Sequence, residues 1–409
     1  MWQNEESMAS GPERPHRLAE SMRSVLLLAS LAALGQFAAS VFSPSMPAAA
    51  RALDVMTPKV QAALVVYYAA FAFGQLAYGA VSDRWGRRPV LMAGLTLFML
   101  GTLGCTVAQS LPSLICARSM QGLGAAAGVV VSRAVTRDSF EGPALVRVMA
   151  AVTMAFALVP GLTPLVGGLA QALAGWRACF WLTLALGAVV IVAAALRLPE
   201  TRPRAETSRR SAVSTAYLQI ASDRIFLGNA LTAGGLFAGL SAYFVASPTI
   251  FIDHLAVPPF EYGFYPPLSA AGFLLGAGVV RRHAIRYDRG RIPESGFLIM
   301  LLGAGTMLVL PLLGVLHKHA FNAAMACFAT GLGMVLPVVA AAALQRFPAN
   351  AGAAASLQGF VQMTGGALGG GAVSLLQVSR PVLTLPAVMI AAWAFAGCSY
   401  FLTSRLEIT

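Results

Sequence analysis

Apolar residues in this chain neither alternate nor keep to one helical face; they come in runs. Twelve runs, at approximately 24–46, 57–81, 89–108, 111–134, 145–171, 176–198, 225–252, 260–283, 294–316, 319–345, 350–378 and 381–403, are separated by polar connections. Each is near or above the roughly 20 residues a helix needs to cross a bilayer. The pattern therefore predicts an all-α membrane protein with twelve transmembrane helices, spans 1 to 12. The longest hydrophilic connection, 199–224, divides them six and six. The expected organisation is a cytoplasmic tail (1–23), a six-helix bundle (24–198), a cytoplasmic linker (199–224) and a second six-helix bundle (225–409).

Composition agrees: 57% of residues are hydrophobic and 11% charged, against about 25% charged in a soluble domain. A net charge of +12 would suit a nucleic-acid partner, but the placement of the charge points elsewhere. With the amino terminus inside, 22 of the 28 lysines and arginines fall on cytoplasmic segments or span ends. Five fall outside: Arg51, Lys59, Arg177, Lys318 and Arg380. That bias is the positive-inside rule, so the basic charge calls for a lipid bilayer and no nucleic acid, with both termini in the cytoplasm. The five cysteines sit within apolar runs and read as small buried apolar residues. No histidines or acids stand at metal-ligand spacing and no phosphate-cradling loop occurs, so neither a metal, a cofactor nor a catalytic constellation is expected.

Three stretches carry charge or helix breakers where plain spans would not. Between spans 2 and 3 lies Gly79-Ala-Val-Ser-Asp-Arg-Trp-Gly-Arg-Arg-Pro89. Gly79 allows close helix approach, Gly86 a tight turn, and Pro89 suits a helix start. Asp83 and Arg87 are four apart and can pair at the membrane edge, flanked by Arg84 and Arg88. Span 4 holds Arg118-Ser-Met-Gln121, and an arginine so deep must face water or a polar partner such as Gln36, Ser40 or a freed carbonyl. Span 5 holds Pro160, Pro164, Gly167 and Gly168, which predicts a kinked helix with a flat packing face. Gln36, Ser40, Tyr67, Phe71, Tyr243, Gln358 and Gln362 are the candidates for lining a cavity, because polar residues within spans tend to face the bundle interior.

The loop closely resembles the signature loop of the major facilitator superfamily of secondary transporters. R-x-x-Q-G in span 4 is similar to the motif of its proton antiporters in which the arginine is tied to proton coupling. P-x-x-x-P-x-x-G-G, followed by Gly175-Trp-Arg177, resembles the antiporter motif of the Bcr/CflA drug-resistance subfamily. The resemblance implies a monomeric protein of the bacterial inner membrane that exports small molecules, of the multidrug or chloramphenicol/bicyclomycin type. The proton gradient would drive it by alternating access. A metabolite or organic-anion transporter is the alternative, and a non-transporting membrane sensor a more distant one. One departure matters. The subfamily commonly has an aspartate in span 1 where this chain reads Ser40-Val-Phe-Ser-Pro44, and none of its 16 acidic residues lies deep in a span. A cavity with Arg118 and no acid is expected to prefer neutral or anionic substrates. Asp83 is expected to face both Arg87 and the amino end of span 11, near Ala351 and Gly352.

Overall fold

A computed structural model describes residues 18, 21–201, 212–283, 291–377 and 380–408. Nearly all of the expected tail, the middle of the linker (202–211) and the loop at 284–290 lie outside the described residues. Spans 1 to 6 are α1 (Met22–Ser40) with α2 (Met46–Ala52), α3 (Thr57–Trp85), α4 (Arg87–Val107), α5 (Leu111–Ser139), α6 (Gly142–Ala174) and α7 (Ala178–Arg197). A linker helix, α8 (Ala212–Ser222), precedes α9 (Arg224–Pro248). Then come α10 (Pro259–Tyr262), α11 (Tyr265–His283), α12 (Arg291–Leu312), α13 (Lys318–Gln345), α14 (Ala351–Leu376) and α15 (Pro381–Ile408).

Local chemistry sets the ends. Ser110 and Ser113 form a reciprocal capping box at the start of α5, and the Asp223 side chain accepts from the Phe226 N–H to start α9. Pro44 and Pro47 follow the end of α1, where the chain passes through a short 3₁₀ turn, Ser43–Ser45, into α2. Among the described residues eleven helical segments are long and apolar enough to cross a membrane. Span 11, α14, is not one of them: seven of its 26 residues are glycine, and it carries Gln358 and Gln362. It packs nonetheless between α3 and α9.

Small residues hold the helices together, as they must where lipid removes the hydrophobic drive between spans. A Cβ on Gly122 of α5 would lie 2.3 Å from the Tyr67 carbonyl oxygen of α3, and one on Gly128 equally 2.3 Å from that of Leu31 in α1. In the other half α13 plays the same part: a Cβ on Gly331 would meet the Gly296 oxygen at 2.3 Å, and one on Gly333 the Phe273 oxygen at 2.1 Å. The two halves meet along α3 with α14 and along α6 with α10 and α11. Exposed leucines such as Leu169, Leu173, Leu196 and Leu375 point outward, where lipid covers them.

Candidate functional site

The signature loop is an ion-pair knot. Gly86 turns the chain at φ +100°, between α3 and α4. Arg87, 8% exposed, donates to Asp83, to Ser82 Oγ at 2.9 Å and, through Nε, to Asp138 Oδ2 at 2.9 Å. Glu200, just after α7, accepts the backbone N–H groups of Arg87 at 2.9 Å and Arg88 at 3.1 Å. A carboxylate at a helix amino terminus meets both free donors and the positive end of the dipole. The Arg88 side chain reaches the Ala195 carbonyl at 2.7 Å, tying the same two helix ends. Beside the loop, Gly79 leaves room for the Tyr217 hydroxyl of α8 and for Ser356 of α14; a Cβ there would lie 2.8 Å and 2.9 Å from their oxygens. Burial raises the Tyr217 phenol above its usual range. The amino end of α14 has a different neighbour from the one expected: a Cβ on Gly352 would meet the Arg137 guanidinium at 2.5 Å. Asp83 pairs with Arg87, as its spacing predicts.

Arg118 is completely buried. Its Nη1 donates to the Ala38 carbonyl at 3.0 Å, in the last turn of α1 where carbonyls lack helical partners, and to Gln121 Oε1 at 2.6 Å. Gln121 passes the contact on to Thr102 Oγ1 at 2.9 Å. The guanidinium carbon lies 4.3 Å from the Tyr67 ring centre, with Phe42 and Phe180 at 5.7 and 5.8 Å, so aromatic faces supply part of what a carboxylate would. Among the described residues Nε and Nη2 have no hydrogen-bond partner.

The span-5 motif is a seam between the halves. Across it a Cβ on Gly168 would lie 2.4 Å from the Pro259 oxygen and one on Gly161 2.3 Å from Ala270 Cβ, while one on Gly167 would lie 2.1 Å from the Val41 oxygen within the first half. Further seals gather at the end remote from the Asp83 loop. Gln61 donates to Thr249 Oγ1 at 2.9 Å and accepts from Gln377, and Ser374 bonds the Pro58 carbonyl at 2.7 Å. Thr57 and Arg51 both hold Asp253, at 3.0 and 3.7 Å.

Midway between the ends lies a cavity with about 630 Å³ of empty volume, counting space open to solvent. Pro160 and Gly161 of α6 line it, with Phe156, Phe237, Phe244 and Phe273, and its amide groups are those of Gln36 and Gln362. Ser40, Tyr67, Phe71, Tyr243, Gln358 and Arg118 are not on this wall. The reasons are local: Ser40 Oγ folds back on the Gln36 carbonyl at 2.7 Å, Tyr67 donates to the Gly35 carbonyl at 2.6 Å, and Tyr243 to Asn322 at 3.3 Å. Phe71 is 1% exposed and packs against Gly35, and Gln358 is 6% exposed. Three features went unread in the sequence: the Glu200 cap, the Tyr217 contact and the Gln61–Thr249–Gln377 seal. Each joins residues more than a hundred positions apart, and only polar residues at span ends hinted at them.

The sequence pattern of the Major Facilitator Superfamily matches residues 28–370. The chain belongs to this superfamily. It is 33% identical over 343 residues to Multidrug resistance protein D of Escherichia coli K12, covering 83% of this chain and 86% of that one. It is 29% identical over 387 residues to a bicyclomycin resistance protein homolog of Haemophilus influenzae, covering 93% and 96%. These relatives bear out the resemblance to the Bcr/CflA drug:proton antiporters. Among solved structures, a bacterial homolog of the human lysosomal transporter Spinster, inward-facing and occupied, superposes with a TM-score of 0.72 at 17% identity, covering 93% of this chain and 96% of that one. The fold is thus that of a superfamily transporter, and the chain a multi-pass protein of the bacterial inner membrane.

Proposed function

We propose that this major facilitator exports small, drug-like molecules from the cytoplasm in exchange for protons. The observation that carries the reading is the cavity between α6, α9, α11 and α14, with the two halves sealed against each other by polar contacts at one end. Such an arrangement suits two bundles, 24–198 and 225–409, rocking about a central site with the 199–224 linker between them. The lysine and arginine bias supports cytoplasmic termini and an outward-facing seal. Arg118 and Gln121 are the coupling pair in this reading, and the Asp83–Arg87–Asp138 knot governs the balance of states at the cytoplasmic end. The protein acts as a monomer and as a transporter, with no enzymatic step. The alternative, an organic-anion or metabolite carrier, needs Arg118 at the substrate, and burial of its whole side chain weighs against that. The test is drug accumulation in cells with and without the protein, each with and without a protonophore. Accumulation should fall only when the protein is present and the gradient intact. Equal accumulation in all four sets would sink the reading.

A further inference from the structure

A second hollow shares no residue with the central cavity. It opens between α14 and α15 over α9, with about 810 Å³ of empty volume, counting space open at its mouth. Gly234 and Gly235 of α9 form its floor, Leu368 of α14 and Phe395 of α15 its rims, and Thr364 is its one polar side chain. Leu368 is 69% and Phe395 53% exposed, so the mouth faces outward from the bundle. At that depth in a bilayer the surroundings are hydrocarbon. A helix is about 10 Å across and would ride on the projecting rims, clear of the glycine floor. A methylene chain is thin enough to pass between them.

A charge stands at the right distance from this groove. Arg224 opens α9, is exposed, and makes no hydrogen bond or ion pair among the described residues. The acid beside it, Asp223, is taken by Arg346. A cation at a helix amino terminus opposes the dipole, so Arg224 gains nothing there from its own helix. Positions 224, 227, 231, 235 and 238 follow one helical face. Leu231 and Ala238 line the groove, and Leu227, 39% exposed, continues the apolar strip towards Arg224. At 1.5 Å per residue, Leu231 lies about 10 Å and Ala238 about 21 Å from Arg224. One leaflet holds roughly 15 Å of hydrocarbon beneath its phosphates, which matches that span. We infer that the groove binds one anionic phospholipid of the linker-side leaflet, with an acyl chain on the glycine floor and the phosphate at Arg224. The lipid also touches the junction of the halves, because Phe360 of the groove packs on Phe73 of α3 with ring centres 5.9 Å apart. The site stands whatever the protein exports.

The experiment is native mass spectrometry of the purified, delipidated full chain in detergent, titrated with three probes. Phosphatidylglycerol carries chains and phosphate, diacylglycerol the chains alone, and inorganic phosphate the head chemistry alone. One phosphatidylglycerol per chain should bind saturably, at least fivefold more tightly than diacylglycerol, and inorganic phosphate should not be retained. Arg224→Gln should weaken the lipid roughly fivefold, the size of one basic residue at a membrane surface, and Arg224→Lys should restore it. Thr364→Phe, which fills the groove, should abolish the discrete complex. Should that variant fail to fold, the Arg224 pair still decides, because an exposed helix-end residue leaves the packing intact. A ladder of lipid adducts with no preferred number, or binding unchanged in Arg224→Gln, would overturn the inference. So would a dimer that Thr364→Phe dissociates, since a second copy would then occupy the groove.

Discussion

Glu200 accepts the backbone N–H of Arg87 at 2.9 Å, across 113 positions of sequence. The bond lets the end of span 6 close the open amino terminus of span 3, next to the loop that identifies the superfamily. A Cβ on Gly86 would lie 2.6 Å from the same carboxylate, in a backbone conformation that already disfavours a side chain.

Removing the cap should therefore be measurable. Glu200→Ala is expected to cost about 0.5–1 kcal/mol, the lower part of the range for helix caps because Glu200 is exposed. Gly86→Ala should cost more, adding about 1–2 kcal/mol of backbone strain. Thermal unfolding in detergent checks both, and a neutral Gly86→Ala would contradict the geometry.

The span-5 motif makes a sharp contrast with a glycine elsewhere. Gly167→Ala places a methyl 2.1 Å from the Val41 carbonyl, whereas Gly305 has open space around it. The first change should destabilise by about 1–3 kcal/mol and lower export strongly. Gly305→Ala should leave both within error. Melting temperature and export assays on the pair decide it.

At the far end, Gln61→Ala strips partners from Thr249 and Gln377 together. Loss of a buried hydrogen bond costs about 1–3 kcal/mol, enough to move a two-state balance tenfold or more. A cysteine placed at Ser374 should then react faster with an impermeant maleimide. An unchanged rate would mean that the seal rests on packing alone.

Arg118→Ala removes the donors to Ala38 and Gln121 and leaves the surrounding rings unpaired. Export should fall at least tenfold while the protein still reaches the membrane. Arg118→Lys should not rescue it, because a point charge cannot bond both partners and face Tyr67 in one plane. Full export by the lysine variant would exclude a role for the fork geometry.

One pair titrates in an accessible range. Burial pushes the Asp223 carboxyl up, but hydrogen bonds from Arg346 and the Phe226 N–H outweigh it and hold the group below its usual value. A depressed carboxyl contributes stability above its unfolded pKa of about 3.9 and loses it as pH falls through the lower folded value. Arg346 is 42% exposed, so the contribution is about 0.2–1 kcal/mol. The melting-temperature gap between parent and Asp223→Asn should be constant from pH 6 to 8 and close below about pH 4.

Much of this was legible in the sequence because a bilayer imposes long apolar runs. All twelve runs became helices, and the Asp83–Arg87 spacing gave the pair directly. Site residues were less legible. Tyr67 and Tyr243 sit at helical spacings that suit a cavity, yet each hydroxyl is consumed by a neighbour in its own half. Gln36 and Gln362 look no different in sequence from Gln358, and only tertiary rotation of the helices decides which amide reaches the open space.

The glycine-rich make-up of α14 bears on how the protein is made. A segment in which seven of 26 residues are glycine partitions poorly into lipid by itself, even without a charge. Its insertion at the translocon must lean on α9 and α3, already synthesised, whose close-fitting faces replace lipid around its exposed backbone. The carboxyl-terminal half then enters the membrane as a cooperative unit. A chain from which α9 is deleted should accordingly leave α14 unintegrated and open to quality-control proteolysis.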